Sequence, residues 1–135
     1  MYNKIAELVK AAEESGKPIS ELMLLQEMAK SHRTREDIWE QMRNNYHVMK
    51  AAVEKGLAGD GVFSPTGLTG GEAVKLRNYR QRGNTLSGDD LLIAVESAIA
   101  TNEVNASLGI ICATPTAGSS GTLPGVMFAI KDKLG

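Results

Sequence analysis

A chain of 135 residues is the size of one domain and can bury a core without disulfides or a structural metal. Its formal charge of −1 and sequence pI near 6.1 exclude the basic excess that binding to a phosphate backbone needs. Aromatic residues make up 4%, too few for base-stacking platforms or an all-β core, and no apolar run approaches the roughly 20 residues of a membrane span.

The N-terminus, "MYNKIAELVKAAEESG", is charged throughout and lacks the apolar block of a signal peptide, so a cytoplasmic protein is expected. Ile5, Leu8, Val9 and Ala12 recur at helical spacing and predict an amphipathic helix from about Tyr2 to Glu14, ended by Gly16 and Pro18. Ser20 reads as the N-cap of a second helix carrying Leu22, Leu25, Met28 and Ala29. Thr34 and Asp37 have capping-box spacing and open a third helix. Its apolar residues Ile38, Met42, Tyr46, Met49 and Val53 run to a left-handed stop at Gly56. His32 and His47 have no cysteine or carboxylate partner at metal spacing and read as surface residues.

Periodicity then vanishes through "GLAGDGVFSPTGLTGG" and returns in a helix from Gly70 or Gly71 to about Gln81. Arg77, Arg80 and Arg82 cluster there, a local patch that a solvated helix face explains. Ser87 and Asp90 predict the cap of a longer helix with Leu91, Leu92, Val95, Ala98 and Ile99 as its apolar residues, ended by Asn105–Gly109. Ile110–Ala113 reads as briefly extended. The lone Cys112 cannot form an internal disulfide or by itself hold zinc or an iron–sulfur cluster, and reads as a small buried residue. After a second polar loop, "ICATPTAGSSGTLPG", Pro124 is expected to open a last helix with Val126, Met127 and Ile130, and with Lys131 and Lys133 near its C-terminus. The expected fold is therefore all-α: about six helices, little or no sheet, and two Gly/Ser/Thr-rich loops that each lead into a helix N-terminus.

A helix start presents about four amides without intrahelical partners and roughly half a positive charge. Glycines let a ligand approach, and serine and threonine hydroxyls can turn toward an oxyanion. "SPTGLTGG" and "TPTAGSSGTLPG" thus suit a small anion such as a carboxylate or phosphate, although the same residues also make plain turns. Known phosphate signatures do not fit: neither loop carries the Gly-Lys of GxxxxGK[ST], and Gly59-Asp-Gly61 lacks the third glycine of the dinucleotide fingerprint.

The two loops together, "FSPTGLTGG" at Phe63–Gly71 and "NASLGIICATPTAGSSGTLPGVMFA" at Asn105–Ala129, with the lead-in "LQEMAKSHRTREDIWEQM", resemble the α chain of the bacterial iron–sulfur-dependent L-serine dehydratases (L-serine ammonia-lyases). The resemblance spans nearly the whole chain, read as a single helical region from the N-terminal part of the catalytic domain. It implies conversion of L-serine to pyruvate and ammonia at a 4Fe–4S cluster, without pyridoxal phosphate, in partnership with a β chain. It implies that Ser64, Thr66, Gly67, Thr69, Gly70 and Gly71 form one half of a substrate pocket. Thr114, Thr116, Ala117, Gly118 and Ser119 form the other. The family's cluster cysteines lie C-terminal to the part matched here, and Cys112 does not correspond to them. The chain is therefore expected to hold no cluster and to be inactive by itself, needing the C-terminal part of the α chain. The catalytic base is unassigned, with Asp60, Glu72 and Asp89 as acids near the loops. Two other readings stand beside this one. One is a non-catalytic helical binding or assembly module; the other, a pyridoxal-phosphate dehydratase with Lys75 as the imine, lacks the α/β framework such enzymes use.

Overall fold

The computed structural model describes residues 2–134, apart from the side chains at 132 and 133. Six helices make up its regular structure: α1 (Ile5–Ser15), α2 (Ile19–Ser31), α3 (Arg35–Leu57), α4 (Glu72–Gln81), α5 (Asp89–Ala106) and α6 (Ser119–Leu134). The sole strand-like feature among the described residues is an isolated antiparallel bridge between Phe63 and Gly70, so the all-α expectation holds. The chain divides into two compact units, residues 1–44 and 45–135.

In the first unit α1 packs on α2, and α1 has no buried residue; Ile5, expected on its apolar face, is 82% exposed. Helix α2 begins at Ile19 rather than behind a Ser20 cap: Pro18, extended at φ −65° and ψ 151°, is the N-cap, and Ser20 lies inside the first turn. Its C-cap is His32 in the left-handed conformation, φ 56°. The capping box at the start of α3 forms as read: the Thr34 amide donates to Asp37 Oδ2 at 3.0 Å and the Asp37 amide to Thr34 Oγ1 at 3.1 Å. The Thr34 hydroxyl, donating to Asp37 Oδ2 at 2.7 Å, and then the Thr34 amide hold the Asp37 carboxyl below its ordinary range. Arg35 reaches back from this start to pair with Glu21 of α2.

The second unit is built around α5, with α4 and α6 packed on it. The α4 start lies against Glu103 and its end, Arg80, against Glu96, so α4 runs antiparallel to α5. Helix α6 is antiparallel to α5 as well, Gly121 lying over Ala98 and Asn102 and Gly125 over Ala94 and Ala98. Several sequence expectations fail here. Gly56 does not end α3 but lies inside it, where an added Cβ would come within 2.5 Å of the Ala100 carbonyl oxygen. Ser87 makes no cap for α5, which starts behind Gly88. Pro124 lies inside α6 rather than opening it, and is fully buried.

Packing on α5 also departs from hydrophobicity. Its buried residues are Leu92, Glu96, Ser97, Ala100, Thr101, Glu103 and Val104, while Leu91 and Val95 are exposed. Helix α6 presents Ser120, Gly121, Pro124, Gly125 and Ala129 inward and leaves Val126 and Ile130 outside. Small side chains let two helix backbones approach closely, and contact between backbones then replaces interdigitated large side chains. Cys112 is buried as expected, its thiol 3.7 Å from the Ala113 carbonyl oxygen. Tyr46 of α3 stacks at a tilt on Phe128 of α6, ring centres 5.7 Å apart. The expectation for Lys133 falls outside the described residues.

Candidate functional site

The first loop is a closed turn. The Ser64 amide donates to the Thr69 carbonyl at 2.9 Å, the Gly67 amide to the Ser64 carbonyl at 2.9 Å, and the Thr69 amide to Ser64 Oγ at 3.2 Å. Ser64 Oγ lies 3.2 Å from Thr66 Oγ1. Only a glycine fits at position 70: its φ is 142°, and a Cβ there would run into the backbone of Val62 and Phe63. Thr66, Gly67 and Thr69 are exposed at the tip, and Gly70 and Gly71 are buried at the base.

At that base the α4 start is already filled. The amides of Glu72 and Ala73 donate to Glu103 Oε1, at 2.6 and 3.2 Å, and the Gly70 amide donates to Glu72 Oε2 at 2.7 Å. The first helix-start amides that sequence alone offers to a substrate carboxylate thus receive one from α5. Burial pushes the Glu103 carboxyl up, and the neighbouring Glu72 carboxyl pushes it further, against the downward pull of the two amides. Glu103 in turn holds the exposed Glu72 down, assisted by the amides of Gly70 and of Glu72 itself. Glu103 Oε2 is buried and accepts no hydrogen bond.

The second loop is a hydroxyl cluster. Thr114 Oγ1 lies 2.6 Å from Ser119 Oγ and 3.0 Å from Ser120 Oγ, and donates to the Thr116 carbonyl at 3.1 Å. Thr116 and Ser119 cap one another: the Ser119 amide donates to Thr116 Oγ1 at 3.2 Å and the Thr116 amide to Ser119 Oγ at 3.1 Å. Ser119 is therefore the first residue of α6 rather than the middle of a loop. Thr116, Ala117 and Gly118 are exposed at the tip.

The fold brings both turns to one end of α5. The α4 start is tied to Glu103, and the first turn of α6 lies on Asn102 and Ala98. Glu103 and Asn102 are adjacent on the helix, about 100° apart around its axis. Among the described residues no hydrogen bond joins one turn to the other. Asp89 belongs to the opposite end of α5, about 20 Å along the helix from Glu103 at 1.5 Å per residue, so it is not near the loops. Arg77 and Arg80, read as a solvated patch, are structural. Arg77 donates to the Leu57 carbonyl, and Arg80 forms a two-pronged pair with Glu96 at 2.8 and 3.0 Å. That pairing raises the Arg80 pKa.

Glu103 and Glu96 are the acids that sequence reading missed. Both fall with Leu92 and Ala100 in a series at spacings of three and four, the one available sign that two glutamates face inward.

Both motif turns thus sit at one end of a shared helix. The profile of the serine dehydratase alpha chain family matches residues 14–135. This chain belongs to that family. It is 54% identical over 134 residues to the "Probable L-serine dehydratase, alpha chain" of Bacillus subtilis (strain 168), covering 99% of this chain and 44% of that protein. It is 36% identical over 133 residues to the "L-serine dehydratase, alpha chain" of Peptoniphilus asaccharolyticus, covering 98% and 45%. Over 46 residues it is 70% identical to the "Probable L-serine dehydratase, alpha chain" of Latilactobacillus sakei, covering 34% and 22%. The chain thus covers less than half the length of each of these relatives. No solved structure matches it.

Proposed function

We propose that this chain is the substrate-orienting part of an L-serine dehydratase, acting with the rest of an α chain and with a β chain. The reaction removes the Cα proton and the β-hydroxyl of L-serine as water. The resulting aminoacrylate tautomerises to an imine, which water hydrolyses to pyruvate and ammonia. The observation that carries this reading is the delivery of both motif turns to one end of α5.

Holding the carboxylate and ammonium of serine in one orientation while the proton and hydroxyl leave is a positioning effect that can contribute several kcal/mol. In this reading the exposed Thr66, Gly67, Thr69, Thr116, Ala117 and Gly118 touch the substrate. Ser64, Thr114 and Ser119 shape the turns from behind, and Gly70 and Gly71 let the first turn lie close on α4. Because Glu103 fills the leading amides of α4, recognition falls to the tips of the turns rather than to that helix start.

The four-iron cluster implied by the resemblance does not fit the residues present. The only thiol is buried against its neighbour's carbonyl, and among the described residues no three His, Cys, Asp or Glu side chains are grouped to hold a metal. We assign the cluster to residues outside this chain and derive no step through it.

The test is pyruvate formation from L-serine by the full-length α chain with its β chain, prepared anaerobically. Thr66→Ala and Thr116→Ala are each expected to lower kcat/KM about tenfold, mainly through KM. If the complete, active enzyme keeps its wild-type kcat/KM in both variants, the turns are structural. The reading of this region as a non-catalytic helical assembly module then holds, which the self-satisfied hydroxyls of the second loop favour.

A further inference from the structure

We propose that Glu103 is a positioning residue for the first substrate loop: as a neutral acid it clamps the base of that turn through the amides of Glu72 and Ala73. The proposal rests on the substrate-orienting role given to that loop above.

Three contacts form a continuous chain from loop to helix. The Gly70 amide donates to Glu72 Oε2, the Glu72 amide donates to Glu103 Oε1, and the Ala73 amide donates to the same oxygen. The clamp therefore grips the two residues after Gly71 directly and Gly70 through Glu72. The tip residues Thr66, Gly67 and Thr69 hang from these anchors.

The protonation state follows from the other oxygen. Glu103 is 4% exposed, and its Oε2 accepts no hydrogen bond. A charged carboxylate with one oxygen buried and unsatisfied is strongly disfavoured. Protonation removes that charge, while Oε1 keeps both of its amide bonds. The upward displacement of Glu103 and downward displacement of Glu72 agree with a proton held on Glu103 beside an ionised Glu72. The charged groups acting on the pair come from α4: Glu72 itself, and Lys75 one turn along, which favours the ionised form of Glu72. Glu54 and Lys55 of α3, whose Gly56 lies against Ala100 of α5, are exposed. Asp60 of the first loop is exposed. Lys131 lies in the last turns of α6, whose first turns are those beside Asn102.

The sign of the pH effect is set by Glu103. A carboxyl raised on folding stabilises the native state below its unfolded value, and that stabilisation is lost as pH rises through its raised value. Above that pH two negative charges meet at the α4 start and the clamp loosens.

Two measurements test the proposal. In the 135-residue chain, a carbon-13 titration of the glutamate carboxyls is expected to show Glu103 protonating well above the other glutamates. The Glu72 and Ala73 amides are expected to stay protected from exchange in Glu103→Gln, whose amide keeps both the acceptor and the donor. Titration of Glu103 in the ordinary glutamate range would overturn the neutral acid, whatever the substrate of the complete enzyme. In the complete enzyme, Glu103→Gln is expected to keep kcat/KM for L-serine within about twofold and to lose its alkaline decline. Glu103→Ala is expected to lose about tenfold or more at an unchanged fold. Equal losses in both variants would show that an ionised Glu103 is required, and no loss in folded Glu103→Ala would show that the clamp does not position the loop. Should the wild-type enzyme not convert serine at all, the lyase reading fails while the titration still decides the clamp.

Discussion

Gly125 and Gly118 look alike in the sequence, two glycines of one polar loop, yet their surroundings differ sharply. A Cβ at Gly125 would lie 2.5 Å from the Ala94 carbonyl oxygen and 3.0 Å from the Ala98 Cβ, whereas one at Gly118 would meet nothing within 4 Å. Gly125→Ala gains about 1 kcal/mol in helix propensity but overpacks the α5–α6 contact, which typically costs about 1–3 kcal/mol. Its expected net effect is a lower urea midpoint, with Gly118→Ala near wild type. Equal midpoints would mean that α6 can move off α5 without loss. None of this was legible at the residue scale, because a glycine required by a neighbouring helix and a glycine required by a turn are the same letter.

Among the elements, α5 holds the second unit together through polar as much as apolar contacts. Glu96 is buried and its two-pronged bond to Arg80 joins the far end of α4 to α5, as Glu103 joins the near end. Removing one partner of a buried pair strands the other; a fully buried case costs about 3–5 kcal/mol. Arg80 retains some solvent contact, its side chain being 19% exposed, so Glu96→Ala is expected to cost about 2–3 kcal/mol in chemical denaturation. The double variant Arg80→Met, Glu96→Leu should recover most of that loss. A failure to recover would assign the cost to packing rather than to the stranded charge. The capping box of α3 and the bounds of α4 were readable because their signals are local. The inward face of α5 was not, since alternating small and acidic residues leave no apolar stripe to follow.

For the whole molecule, the two units differ in how much they bury. The buried apolar residues of the first are Leu22 and Ile38, while α1 buries none. The second has Met49, Ala52, Val53, Ala73, Val74, Leu92, Ala100, Val104, Cys112 and Ala129. Local opening follows burial, so amides of α1 and α2 are expected to exchange faster than those of α5 by at least an order of magnitude. Uniform protection across the chain would show that the two units unfold as one. Exposed apolar side chains such as Leu68, Leu108 and Ile110 also predict reversible self-association, visible as a rising sedimentation coefficient with concentration.

The sequence by itself determined the helical class, most helix bounds, the buried thiol and the family, because each depends on near neighbours or on a long ordered motif. Tertiary structure alone decided that both loops reach one end of α5, and that a glutamate from that helix occupies the amides at the start of α4. Glu72 and Glu103 are 31 residues apart, and no local rule connects them. Their meeting depends on the antiparallel packing of two helices, which only the folded chain specifies.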